Sequence, residues 1–401
     1  MLTTAEAQRA IFDAMSEFPA VTVSSKQALG TVLRQTVIAE RDQPPFDRVM
    51  MDGIALRHAD IAAGQRKLPV QATQAAGDAA LQLKAGHCIE IMTGAALPAG
   101  ADCIIPVERI AVNDSAAVIE DGYETQRHQF IHPRASDHAA GTTLLTPGKR
   151  ITPMDIAILA SAGLRDVTVS RKPAISIIST GNELVAPGSP IEPHQIRLSN
   201  GPAIEAMLGQ HGYDNCHLEH LADDIEVLRD RITAHLDDAD ILILSGGVSM
   251  GKADFVPQVL ADLGVNVVFH RVSQRPGKPM WFGIGPQQQA VFALPGNPVS
   301  ALVCCRHYVI PALDTAAAAM APLPEFAALA ADVTFTPDLT CFQPVRVLSN
   351  AAAQTLAMPV KTNTSGDFTA LSATDGYVEL ARDQSYFAAG AVVLLHRWAR
   401  D

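Results

Sequence analysis

Residues 240–255, DILILSGGVSMGKADF, decide the fold. The run Asp240–Gly247 is apolar and β-branched, with a polar start and a glycine pair at its end, as expected of a strand buried on both faces of a parallel sheet. The loop after it carries Ser249, Gly251 and the carboxylate of Asp254 just before a helix expected over Phe255–Leu263. Backbone N–H groups at such a helix start favour an anion, and the turn at Gly246 and Gly247 lets a ligand approach the main chain closely. Working outward, VNVVFHRVSQRPGKPMWFG runs a second strand into Arg275-Pro276-Gly277-Lys278-Pro279. QAVFALPGNPVSALVCC ends a third in Pro295-Gly296-Asn297-Pro298, ahead of an apolar helix over Val299–Tyr308 that contains Ser300. Open parallel sheets bind ligands outside the carboxyl ends of their strands, so three glycine turns bearing a carboxylate, an arginine and a lysine mark a crevice.

Upstream, AISIISTGNEL is a buried strand leading into Thr180-Gly181, with Asn182 and Glu183 at the turn. SNGPAIEAMLGQHG reads as a helix capped by Ser199 or Asn200, YDNCHLEHLADD as an edge strand ending in Asp223-Asp224, and IEVLRDRITAHLDDAD as the next amphipathic helix. This alternation makes a doubly wound α/β domain over residues 172–322. Its strand ends offer Glu183, Asp223 or Asp224, Asp254 and Lys278 to one side of one sheet. A few carboxylates beside a phosphate suit Mg²⁺. Asp224 and Asp223 also fit the plainer roles of N-cap and solvated neighbour.

At 401 residues the chain exceeds one compact core, and two to four domains are expected. With 48% hydrophobic and 18% charged residues it is globular throughout, and a net charge of −12 argues against nucleic acid as a partner. The cysteines 88, 103, 216, 304, 305 and 341 show no C-x-x-C spacing and read as reduced core residues. No apolar run has the length of a membrane span, and MLTTAEAQRAIFDAM lacks signal-peptide features, so no membrane association and a cytoplasmic location are expected.

The rest of the chain has three further textures. An N-capped helix is expected from Thr4, a second over Ser25–Arg34, then a strand in QTVIAE. FDRVMMDGIALR sets Asp52 before Gly53, and from Leu68 to Ile131 short strands alternate with turns, one of which holds Thr93 before Gly94. Asp137 lies between His132 and His138, and Thr152-Pro153 opens a helix. After DTAAAAMAPLPE, the segments FQPVRVLSN, AQTLAMPV, DGYVELA and AVVLLHRW read as a small β-barrel or sandwich, with Ser365 in the KTNTSGDFTALS connection. The expected domains are 1–43 with 139–171 (helical/β), 44–138 (inserted β), 172–322 (α/β) and 323–401 (carboxy-terminal β).

In order and spacing, PPFDRVMMDGIAL, EIMTGAALPAGADCIIPVE, ISIISTGNELVAPG with QIRLSN, DILILSGGVSMGKADF, RPGKPMWFG and LPGNPVSAL resemble the molybdopterin molybdenumtransferase family across essentially the whole chain. The resemblance implies a multidomain α/β-plus-β subunit whose central doubly wound domain binds molybdopterin and whose carboxy-terminal part is a small β-barrel. It implies a homodimer and Mg²⁺-dependent insertion of molybdate into adenylyl-molybdopterin with release of AMP. The implied partners are those substrates, with molybdopterin adenylyltransferase and recipient molybdoenzymes or their chaperones on either side.

Carried over by position, Asp52, Thr93 and Asp137 are contributed by the partner subunit, and Glu183 and Asp254 are metal and pyrophosphate ligands. Gly246, Gly247, Ser249 and Gly251 would cradle the nucleotide, Thr180, Gly181 and Ser199 would also bind substrate, and Asp223 would join Asp52, Thr93, Asp137, Glu183, Asp254 and Lys278 as a catalytic residue. Arg275 and Pro276–Lys278 with Pro295–Ser300 (Pro295, Gly296, Asn297, Pro298, Ser300) form the molybdate and pterin wall, and Ser365 approaches it. The chain departs from the family pattern at Val49-Met50 and Asn182. The competing expectations are an adenylyltransferase acting on molybdopterin, against which the extra amino-terminal part counts, and a non-catalytic scaffold that keeps the pocket.

Overall fold

The computed structural model describes residues 1–113, 115–247, 255–336 and 338–399. Ser249, Gly251 and Asp254 lie outside the described residues. The chain forms two compact units, one of residues 1–35, 147–153 and 166–401, the other of residues 36–146 and 154–165.

In the first unit six strands make one sheet: β1 (Ile175–Thr180), β2 (Cys216–Leu221), β3 (Ile241–Ser245), β4 (Asn266–His270), β5 (Trp281–Ile284) and β6 (Ala290–Leu294), in the order β2-β1-β3-β6-β5-β4. β2, β1, β3 and β6 run parallel, whereas β5 is antiparallel to both neighbours. The two-residue alternation of strands sorts the side chains: Ile241 and Ile243 pack with Ile177 and Phe292 on one face, Leu242 and Leu244 with Ile178 and Val291 on the other. Helices Asn200–Gln210 and Ile310–Ala316 bring Ile204, Leu208 and Leu313 to the first face. Helices Ile225–Asp238 and Val256–Asp262 bring Ile232 and Leu260 to the second. Burial on both faces is why β3 has no polar position before Ser245.

Strand β5 is absent from the sequence reading, because WFGI is four residues between two turns and carries no period. Being antiparallel, it returns the Arg275–Lys278 turn to the same edge as the carboxyl ends of β3 and β6.

The first helix, Thr4–Ala14, is capped one residue earlier than expected. The Thr3 hydroxyl accepts from the Glu6 N–H, and the Glu6 carboxylate accepts from the Thr3 N–H. That reciprocal box needs a glutamate three residues after the cap, which Thr4 lacks. Ala7 and Ile11 of this helix bury in the first-face core. Ser25–Arg34 is not a helix: one 3₁₀ turn, Ser25–Gln27, gives way to Gly30 at φ 75°, outside the helical region.

The carboxy-terminal strands close into a barrel in which Thr340–Ser349 pairs with both Thr355–Pro359 and Gly376–Leu380, and Glu325–Leu329 and Val392–Arg397 complete the ring. Glu325–Leu329 was not anticipated, since its alanines continue the composition of the preceding linker. In the second unit, a six-stranded sheet runs Cys103–Pro106, Gly53–Leu56, Cys88–Ile91, Lys67–Gln74, Ala116–Ile119, Ile110–Asn113, with an apolar cluster on each side.

Asp240 locks the amino-terminal edge of the α/β sheet. Its carboxylate accepts two bonds from Arg171 at 2.8 and 2.9 Å and one from the Ala174 N–H at 2.8 Å. Burial raises its pKa, but the bonds from Arg171 and Ala174 outweigh it and hold the carboxyl below its ordinary value. A depressed carboxyl stabilises the fold above its unfolded pKa of about 4 and loses that contribution as pH falls through the folded value. Asp240→Asn is therefore expected to cost about 1 kcal/mol at pH 7 and less as pH falls below about 4. Denaturant midpoints of both proteins at pH 7 and pH 3 check this, and an equal deficit at both pH values would contradict it.

Candidate active site

The carboxyl ends of β1, β3 and β6 meet through their backbones. Gly246 has φ 100°, and a Cβ there would stand 2.5 Å from the Thr180 carbonyl oxygen, so only glycine lets the two turns touch. Gly296, after β6, lies against the Gly246 Cα. The Asn200 amide fastens the junction by donating to Ser245 Oγ at 2.8 Å and to the Gly296 carbonyl at 2.9 Å. Thr180 Oγ1 and Asn200 Oδ1 are buried here without a hydrogen-bond partner among the described residues. Ser199 occupies the position before this helix, but its side chain makes no capping bond.

Glu183 folds over the same turn, its Oε2 within 2.8 Å of where a Cβ on Gly181 would be. No hydrogen bond to this carboxylate exists among the described residues. An unpartnered carboxylate at a strand end is the kind of oxygen donor that Mg²⁺ takes, alongside phosphate oxygens. Asp223 is engaged with Asn182: Asn182 Oδ1 accepts from the Asp223 N–H at 3.1 Å, and the Asn182 N–H lies 3.4 Å from Asp223 Oδ2. Asp224 caps helix Ile225–Asp238 through bonds from the Glu226 and Val227 N–H groups.

Beyond Gly296 opens a cavity of about 560 Å³, lined by the Gln274–Pro279 turn, Pro295, Asn297, Val299 and Ser300, and the barrel loop Lys361–Ser365. Among the described residues its charged lining is Arg275, Lys278 and Lys361, none of them paired there with a carboxylate. The turn is set on a buried base. Gln274 is fully buried, accepts from the Tyr308 hydroxyl and donates to Cys304 Sγ at 3.4 Å. Gly277, at φ 92°, presses so close that a Cβ would lie 2.4 Å from that sulfur. Ser365 links barrel to layer: its hydroxyl accepts from Asn297 Nδ2 at 2.8 Å and its carbonyl from the Val299 N–H at 3.0 Å. Cys341 also lines the cavity, but burial, only partly opposed by Arg275, pushes its thiol up to about 12, so it supplies no thiolate at neutral pH.

The structure thus joins Thr180, Gly181, Glu183, Gly246 and Gly247 at one junction and Arg275–Lys278, Pro295, Asn297, Ser300 and Ser365 around the adjacent cavity. Glu183 and Asp223 are not in the cavity wall. Lys361 and the fastening role of Asn200 were missed by sequence reasoning. The KTNTSGDF loop offered a signal for Lys361, a lysine beside the serine already singled out.

In the second unit Asp52 and Thr93 are together: Asp52 Oδ1 accepts from the Thr93 N–H at 2.6 Å and from its hydroxyl at 2.8 Å. These two bonds, the backbone one first, hold the exposed Asp52 carboxyl below its ordinary value. Asp137 Oδ1 lies 3.0 Å from His132 Nε2, whose Nδ1 faces Arg48 at 3.0 Å.

Residues 2–163 match the family described as MoeA N-terminal region (domain I and II), residues 176–315 the probable molybdopterin binding domain, and residues 327–398 the MoeA C-terminal region (domain IV). A molybdopterin molybdenumtransferase of Synechocystis sp. is 39% identical over 401 residues, covering 99% of this chain and 100% of the relative. The chain belongs to the molybdopterin molybdenumtransferase family. One from Staphylococcus epidermidis is 29% identical over 98% of this chain and 94% of its own length. Among solved structures, a molybdopterin biosynthesis MoeA protein of Pyrococcus horikoshii superposes with a TM-score of 0.81 at 27% identity, covering 100% of both chains. The family is one of molybdenum cofactor biosynthesis enzymes. Along the chain the family's order is the one seen here: an amino-terminal region, the probable molybdopterin binding domain, and a carboxy-terminal region, which here is a closed barrel.

The Asp52–Thr93 pair gives a direct test of local geometry. Thr93→Val removes the hydroxyl donor and keeps the backbone one, so the Asp52 carboxyl should rise part of the way to its ordinary value. Carboxyl carbon chemical shifts followed across pH measure this, and an unmoved titration would contradict the paired geometry.

Proposed function

We propose that this chain inserts molybdate into adenylylated molybdopterin with Mg²⁺ present, releasing AMP, and does so in the cytoplasm. The observation that carries the reading is the cavity beside Gly296, whose charged lining among the described residues is Arg275, Lys278 and Lys361 with no carboxylate. Two anions, a pyrophosphate and molybdate, repel one another in water. Three fixed cations in one cavity offset that repulsion and stabilise charge on the departing phosphate. Pro276, Gly277, Pro295, Asn297 and Ser300 shape the wall, and the glycine junction at Gly246 brings main chain against the nucleotide portion. Glu183, with Asp254, would hold Mg²⁺; when bound, the ion neutralises negative charge on the phosphates. The six cysteines are all unbonded, which fits a reducing compartment, and no helix among the described residues is long and apolar enough to cross a membrane.

Incubation of the purified protein with adenylylated molybdopterin, Mg²⁺ and molybdate should release AMP only when molybdate is present. Lys278→Ala should lower turnover about 10²-fold, the usual loss for one preorganised charge-stabilising group. Tight binding without AMP release would replace the reading with a scaffold. ATP-dependent adenylylation of free molybdopterin would replace it with an adenylyltransferase.

We further infer a homodimer in which Asp52, Thr93 and Asp137 of one subunit act with the strand-end crevice of the other. Inactive Asp52→Ala and inactive Lys278→Ala proteins, mixed under conditions of subunit exchange, should then recover activity. Random exchange makes about half of the dimers mixed, each with one complete site of two, so about a quarter of the wild-type rate should return. No recovery despite demonstrated exchange would place both residues in one subunit's site.

A further inference from the structure

The helix that begins at Pro298 is not regular. It runs Pro298–Cys304, widens into a π-helical turn over Cys305–Val309, and resumes over Ile310–Ala316. Pro311 explains part of this: it has no N–H to give to the carbonyl four residues before it, His307. That carbonyl instead accepts from Gln8 Nε2 at 3.0 Å. Single π turns recur at functional sites because they re-aim one side chain. Here that side chain is His307.

His307 is 3% exposed, and its Nδ1 lies 3.0 Å from the Tyr377 hydroxyl. Its Nε2 is buried and has no hydrogen-bond partner among the described residues. Such an atom is costly to leave alone, so something should satisfy it. Two barrel residues approach the His307 ring. His307, Glu379 and His396 each offer one ligand atom within 4.8 Å of the others. His396 Nε2 and Glu379 Oε2 stand 3.4 Å apart, the spacing that tetrahedral bonds of about 2.1 Å would give two donors on one zinc ion. The outer arrangement also fits a ligand set. The Thr4 hydroxyl donates to Glu379 Oε1 at 3.3 Å, while Oε2 faces His396 Nε2 at 3.4 Å, a loose contact that a bound ion could replace, and the Tyr377 ring stacks on His396 at 4.9 Å. Burial, with the charges of His396 and Arg306, lowers the pKa of His307 well below the ordinary value, which keeps it in the neutral form that ligates metals.

We propose that His307, Glu379 and His396 form a binding site for a divalent transition metal of the zinc class, where the Pro298–Ala316 helix meets the carboxy-terminal barrel. Two imidazoles and a carboxylate select zinc-like ions over Mg²⁺, so this site is chemically separate from the oxygen donors at the strand ends. A second trio, His217, Glu219 and His235, has the same composition on the edge strand β2 and its neighbouring helix. Its His235 and Glu219 are more heavily engaged than any member of the first trio. Both His235 nitrogens face partners, Ser176 and Glu219, and both Glu219 oxygens accept from Arg231. That trio serves as the internal control.

The full-length protein, stripped with chelator and titrated with Zn²⁺ in excess Mg²⁺, should take up one equivalent and melt at a higher temperature. Zinc-edge X-ray absorption should show two imidazoles and no sulfur. Glu379→Gln and His396→Gln should each weaken Zn²⁺ binding about a hundredfold, whereas His217→Gln should leave it unchanged. No uptake in excess Mg²⁺, sulfur in the zinc shell, or loss only in His217→Gln would overturn the proposal. If a barrel variant fails to fold, the wild-type stoichiometry and imidazole count still decide.

Discussion

Strand β3 is covered on both faces, and that single constraint governs where this molecule can do chemistry. Every side chain from Ile241 to Ser245 is buried, so nothing along the strand can meet a ligand until it ends. The neighbours β1 and β6 are buried just as fully. Reactive groups are therefore forced to the carboxyl edge, where the chain must leave three tightly spaced strands at once. Gly246 makes this possible by taking a left-handed conformation against the Thr180 carbonyl, and Asn200 fastens β3 to the Pro295–Gly296 turn. The junction is a floor of main chain, with few side chains to move when a ligand arrives.

The wall beside that floor depends on the irregular helix from Pro298 to Ala316. Its start accepts support from the barrel loop, since the Val299 N–H donates to the Ser365 carbonyl. Its middle holds up the cationic turn through Tyr308 and Cys304, both in contact with Gln274. Its π turn takes a bond from Gln8 of the first helix. Arg275 and Lys278 from one turn, and Lys361 from a barrel loop, are thus placed relative to one another through one element, although their sequence separation is large.

Burial on both faces is also what made the α/β layer legible. It writes β1, β3 and β6 as continuous apolar runs ended by glycine turns, a pattern few other arrangements produce. Legibility fell where the signal was short or shared. WFGI is too brief to show a period, Glu325–Leu329 hides in the composition of its linker, and Thr3 and Thr4 differ as caps only through the reach of Glu6. Within the site, Glu183, Lys278 and Asn297 were readable because they sit in the turns themselves. The work of Asn200 was not, because it joins residues 45 and 96 positions away. Lys361 gains meaning only once barrel closure carries its loop to the Gln274–Pro279 turn.

The charge distribution closes the argument from structure to chemistry. The chain as a whole carries −12, yet among the described residues the lining of the cavity contributes three positive groups and no negative one. All three cations are exposed, so water and salt screen their mutual repulsion. The fold carries them on two separate supports, the Gln274–Pro279 turn and the barrel loop that holds Lys361. A concave low-dielectric wall then focuses their field outward. An anion bound there would be attracted by all three cations, more strongly for a ligand with several negative charges than for one with a single charge. The preference for a polyanion that the proposed function requires is what such a lining would favour, before any hydrogen bond to the ligand is counted.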